Sequence, residues 1–165
     1  MTGEVRSYQT GAIPVYDNGD RKLAYIDENN WSKAVILPSD SSIDIYTDKA
    51  RDCSILMMNI NKADKEYILL SHILYRNPVK QIENIKETLG HRGFNINNIV
   101  FSPRIDSNNL QEAIESIESS AADDTEIIRR SSREMACGLV TSEGWVLNSG
   151  LKKNRKTILD LWKKE

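Results

Sequence analysis

The chain has 165 residues, of which 39% are hydrophobic and 28% charged, and its net charge is −2. This suits one domain with a real core and leaves too little length for two. It excludes a global field that would draw in nucleic acid or an acidic membrane, and no stretch reaches the roughly 18 apolar residues of a membrane helix.

The Met1 end, with Glu4 and Arg6 near it, opens no apolar run and does not read as a secretory signal. Residues 1–20 are polar, and Asp17-Asn18-Gly19-Asp20 is a turn between expected strands at Gly11–Tyr16 and Arg21–Ile26. Lys33–Leu37 reads as a strand stopped by Pro38, and Ser39 to Ser42 as a turn. Ile43–Thr47 alternates as a half-exposed strand does.

Cys53–Ile60 and Lys65–Tyr75 then form an expected hairpin around Asn61-Lys62-Ala63-Asp64. Alternation puts Ile55, Met57, Ile68 and Leu70 on one face, and Leu56, Met58, Ile60, Tyr67, Leu69 and Ile73 on the other. A hairpin apolar on both faces belongs in the middle of a layered fold.

Asn77 and Pro78 open a helix carrying Val79, Ile82, Ile85, Lys86 and Leu89, which Gly90 should end. Asn98–Phe101 is a short strand. Asp106 or Ser107 caps a second helix with Leu110, Ala113, Ile114 and Ile117 inward. Ser119 to Asp124 reads as a loose linker and Glu126–Met135 as a short helix. Cys137–Thr141 and Trp145–Asn148 read as a second hairpin around Ser142-Glu143-Gly144, and the basic tail from Lys152 as a helix that docks through Ile158, Leu159 and Trp162.

The residues with chemical potential are few. Two cysteines, Cys53 and Cys137, read as free thiols of a reducing compartment rather than a disulfide scaffold. With the loop centred on Lys62–Ala63, Ile60 pairs with Lys65 and Cys53 with His72. Directly opposed residues share a face with Cβ atoms roughly 4.5–5.5 Å apart, so an imidazole could reach a thiol. A thiol of pKa about 8.5 is mostly protonated at neutral pH, and a neighbouring histidine can take its proton and return it to a leaving group. A third group normally fixes the ring, and Thr47 ends the strand before Cys53. The plain alternative makes both core residues, because cysteine is commonly a small buried hydrophobe.

Thr47, five intervening residues, Cys53, then strand–turn–strand to His72 resembles the pattern of cysteine-dependent protein glutamine deamidases. The group meant comprises the chemoreceptor glutamine deamidases, Burkholderia lethal factor and the catalytic domain of cytotoxic necrotizing factor toxins. The resemblance covers roughly Ile43 to Tyr75, with a weaker echo in the hairpin around Ser142-Glu143-Gly144. It implies an α+β fold: a layered, mostly antiparallel, β-sandwich-like core with flanking helices, as one domain over 1–165 with 1–10 and 151–165 peripheral. It implies a hydrolase with Cys53 as nucleophile, His72 as base and Thr47 orienting His72. Backbone N–H groups around Asp52 and Cys53 would hold the oxyanion. The partner would be a protein carrying a target glutamine, with no cofactor, metal, nucleic acid or membrane. A transglutaminase outcome is the same chemistry with an amine in place of water. The compartment would be the protein's own cytoplasm or, for a toxin-like effector, a host cytoplasm. Family members carry glycine and a small residue before the nucleophile, whereas this chain has Ala50-Arg51-Asp52. Asp52 would raise the thiol pKa by like-charge repulsion. That departure motivates the rival reading, a non-catalytic interaction module on the same scaffold. A cysteine peptidase is disfavoured, because papain-like Cys and His lie far apart in sequence.

His91 reads as a solvated residue favoured by a helix C-terminus. Arg129, Arg130 and Arg133 with Lys152, Lys153, Arg155 and Lys156 read as a solvated surface balanced by the acidic helix at Glu112–Glu118. Trp31, Trp145 and Trp162 read as packing anchors. The two His and two Cys make no zinc signature, and no phosphate-binding glycine loop is present.

Overall fold

The computed structural model describes residues 2–6, 12–17, 22–27, 31, 33–107, 109–131, 134–141 and 144–151. The turn at 18–21, the loop residues Ser142 and Glu143, Arg133 and the tail from Lys152 fall outside them. The described chain is α+β, with two sheets, mostly antiparallel, and two helices.

The first sheet is built from β1 (Thr2–Arg6), β2 (Ala12–Asp17), β3 (Lys22–Ile26), β5 (Ile43–Ala50), β10 (Glu134–Thr141) and β11 (Gly144–Leu151), in that spatial order. The second runs β4 (Ala34–Pro38), β7 (Lys65–Ile73), β6 (Ser54–Lys62), β8 (Asn95–Ser102) and β9 (Asp124–Ile127). Among the described strands only β3–β5 and β8–β9 are parallel pairs. Helices α1 (Pro78–His91) and α2 (Leu110–Glu118) cover the outer face of the second sheet.

The β6–β7 hairpin therefore sits between two apolar layers, as its two-faced pattern requires. Leu56, Met58, Ile60, Leu69 and Ile73 pack under Ile82, Ile85, Leu89, Ile114 and Ile117 of the helices. Ile55, Met57, Ile68 and Leu70 pack against Ile26, Ile45 and Val140 of the first sheet. Full burial of each such side chain contributes about 1.5–3 kcal/mol.

Gly138 of the first sheet lies close against side chains of the second. A Cβ there would meet Ile55 Cγ2 at 3.3 Å and Leu70 Cδ1 at 3.4 Å. Gly138 also lies directly opposite Thr47 in the β10–β5 ladder. Its missing side chain thus sets the gap beside Thr47. Gly138→Val should destabilise the fold by about 1–3 kcal/mol through overpacking, read as a lower urea midpoint at unchanged slope.

Several local readings are corrected. Helix α1 passes through Gly90 to His91, and the residue of positive φ is Gly93, at 79°. Asn77 is the N-cap by position but makes no side-chain cap bond. Helix α2 begins after Asn109, which holds a left-handed conformation, rather than after Asp106 or Ser107. The expected helix at Glu126–Met135 does not form. Residues 124–127 make strand β9 and Glu134 starts β10. The half-buried Thr125 and Ile127 show the period-2 burial that a parallel edge strand on β8 demands. The expected linker at Ser119 to Asp124 is short, with Asp123 N–H already bonded to Asn97 O at 2.8 Å.

Candidate active site

The β6–β7 register differs from the expected one by two residues. The turn is not the four-residue Asn61–Asp64 loop but the pair Ala63 and Asp64, with φ of 49° and 64°. Two left-handed residues make the tight turn whose twist matches the strands, so Lys62 pairs with Lys65 and Ile55, not Cys53, with His72. A slip of two keeps every side chain on its face. Cys53 stands just before β6, outside the ladder, which ends at the Ser54–Ile73 pair, and packs with Ile55 and Met57 in the inter-sheet core. Among the described residues no hydrogen bond joins the Cys53 thiol to His72, so the expected cross-strand contact is not made.

Thr47 is brought to His72 from the other sheet. Its Oγ1 lies 2.9 Å from His72 Nδ1 and 3.0 Å from Ile26 O. A hydroxyl has one proton to give. Because the Ile26 carbonyl can only accept, Thr47 donates there and accepts from Nδ1–H. His72 is thereby held as the tautomer with a bare Nε2. That nitrogen is buried and has no hydrogen-bond partner among the described residues. Trp31 stacks on the imidazole, with ring centroids 4.3 Å apart and planes 11° apart. It fixes the ring plane as Thr47 fixes the rotation.

Burial pushes the His72 pKa down to about 3, and the positive charge of Arg130 adds to the shift. The imidazole is neutral at physiological pH. Burial raises the Cys53 pKa, an effect opposed by the Tyr75 N–H donated to its sulfur, reinforced by the charge of Asp52 and opposed by Arg130. At rest Cys53 is a thiol and His72 a neutral imidazole.

Arg130 was expected on a solvated surface and is instead 1% exposed. Its position is set by the chain running parallel to the segment after β8, with Arg130 N–H on Pro103 O and Ile105 N–H on Arg130 O, both at 2.9 Å. Its guanidinium donates to the carbonyls of Ala50 at 2.7 Å and of Arg51 and Ser102 at 3.3 Å, and also to Cys53 O. Such a fork of donors suits a cluster of backbone oxygens. No short-range signal marks Arg130 in the sequence, since its partners lie up to 80 residues away.

Asp52 is ion-paired with Arg104, which also bonds Asp106 Oδ2 at 2.9 Å. Asp52, Tyr75, Arg104, Asp106 and Ser107 line an open cavity of about 350 Å³, whose lining includes neither Cys53 nor His72. The exposed large hydrophobic side chains among the described residues are Tyr75, which lines this cavity, and Ile105. Cys137 is buried and unbridged. His91 is exposed beside Glu87 at 3.5 Å, away from the site, as its sequence position suggested.

Comparison with known proteins adds little at the level of sequence: no family model and no curated protein matches the chain. Among solved structures it is similar to the C-terminal domain of CNFy from Yersinia pseudotuberculosis, with a TM-score of 0.37 and 9% identity. The match covers 78% of this chain and 55% of that one, so the chain spans about half the length of that domain. No helix of the described residues is long and apolar enough to cross a membrane.

Proposed function

We propose that the protein is a cysteine-dependent glutamine deamidase that converts a glutamine side chain of a protein substrate to glutamate. One observation carries this reading: Thr47 presents a neutral His72 with a bare Nε2 on the inter-sheet face that also carries Cys53. A histidine kept only for packing would gain stability from having both ring nitrogens satisfied. A bare Nε2 keeps the ring's lone pair available to take a proton. Hydrogen bonds of this kind commonly tighten only once substrate is bound.

The reaction follows from those roles. The target side chain enters by the cavity beside Asp52 and Tyr75. His72 Nε2 takes the Cys53 proton as the sulfur attacks the carboxamide carbon. The C–N bond then breaks, and ammonia leaves with the proton held by His72. Water adds to the thioester and gives a proton to His72. The C–S bond breaks, glutamate is released, and the thiol recovers its proton.

The test is incubation with lysate proteins and mass analysis for Gln-to-Glu conversion. Conversion is expected with the wild type and should vanish in Cys53→Ser. Its absence across a broad lysate would defeat the proposal. The rival reading, a binding module, is favoured by the raised pKa of Cys53. It would prevail if Cys53→Ala left partner binding and the biological effect intact.

A further inference from the structure

Arg130 belongs to no motif and touches neither the sulfur nor the imidazole by hydrogen bond, yet it is among the largest side chains buried in the molecule. What it holds is the loop that delivers Cys53. In a trans peptide unit the C=O and the following N–H point in opposite directions, and the described residues contain no cis bond. The guanidinium gathers the carbonyls of Ala50 and Arg51 to its own side. The amides on the far side of those two units belong to Arg51 and Asp52. None of the turn, loop or cap hydrogen bonds among the described residues runs from either N–H to a backbone carbonyl. Free amides beside a nucleophile are the parts of an oxyanion hole.

We propose that Arg130 is the positioning residue of the nucleophile loop, turning the Arg51 and Asp52 amides outward to receive the oxyanion. The proposal rests on the deamidase reading and names what replaces the small residues that the resembled family carries before its nucleophile. Bulky side chains at Arg51 and Asp52 are compatible with a hole made of main chain, because a buried cation orients the peptides from behind. Both side chains are exposed, and Asp52 is drawn toward Arg104. The charges facing Cys53 are Asp52 and Arg130, and those facing Arg130 also include Glu134 and Arg104.

Arg130→Lys keeps the charge but loses the fork. It should slow deamidation about 10²–10³-fold, the size of losing an oxyanion donor. Alkylation of Cys53 by iodoacetamide, which needs no oxyanion hole, should keep its wild-type pH profile. In Arg130→Met that profile should also move to higher pH. Amide resonances of Arg51 and Asp52 should shift in both variants. A folded Arg130→Lys protein with unchanged resonances for residues 50–53, or with wild-type turnover, overturns the proposal. Should the wild type convert no glutamine, the deamidase reading falls, and the loop resonances alone decide the role of Arg130. Should the variants not fold, hydrogen exchange in the wild type decides it. The Arg51 and Asp52 amides are expected to exchange far faster than those of Leu56 and Met57, and protection at both would overturn the proposal.

Discussion

Replacing His72 by glutamine is expected to slow Gln-to-Glu conversion by about 10²–10⁴-fold, the usual contribution of a positioned base. Glutamine is close in size and can still donate to Thr47, but it cannot take the thiol proton. The same substitution should change acid stability. The folded-state pKa of His72 is lowered from 6.5 to about 3, so between those values the unfolded chain binds a proton that the folded chain refuses. Stability from this group is complete above the unfolded value. It declines as pH falls toward about 3, at no more than about 1.4 kcal/mol per pH unit. His72→Gln removes that slope. Urea midpoints measured from neutral pH down to about pH 4 should fall less steeply in the variant. The wild-type rate should likewise show no acid limb near pH 6.5, because His72 stays neutral there. A clear limb at that pH that disappears in His72→Gln would mean the imidazole is not buried in the working enzyme.

Thr47→Val should combine a loss of rate with a loss of stability. Valine matches the shape of threonine but removes the hydroxyl that joins Ile26 O to His72 Nδ1. Two buried groups are then left without partners, at about 1–3 kcal/mol each. With its tautomer and rotation released, His72 should support turnover about 10–100-fold more slowly, part of what a positioned base contributes. Thr47→Ser keeps the hydroxyl and should restore most of both. The comparison needs only denaturant melts and rates for three proteins. Equal rates in all three would remove Thr47 from the site.

Much of the site was legible before any coordinates because it rests on parity and spacing. Alternation along β6 and β7 put Cys53 and His72 on one face, and an error of two residues in register left that face unchanged. The register itself was misread because Asn61 and Asp64 are both turn formers, while the chain turns at Ala63-Asp64, and alanine is a rare occupant of that conformation. Thr47 was a candidate because its strand ends just before the loop that carries Cys53. The role of its hydroxyl, rather than its carbonyl, needed the distances to Ile26 and His72.

The sequence by itself determined the layering. A hairpin apolar on both faces must lie between two covers, and the spacing of Ile82, Ile85, Leu89, Ala113, Ile114 and Ile117 supplied one of them. It also determined that Cys53 and His72 share a face, since strand periodicity admits only two sides. Tertiary structure alone decided the fate of Arg130 and of the segment 124–131. A short polar run carries too weak a period to distinguish strand from helix, and the open edge of β8 settled it by offering a parallel ladder. That pairing continues into the bridge at Arg104 and Arg130, which is what carries a residue with the composition of a surface arginine beneath the nucleophile loop. Burial of a guanidinium is stable only where several carbonyls converge, and such convergence is assembled from distant segments that no local pattern reveals.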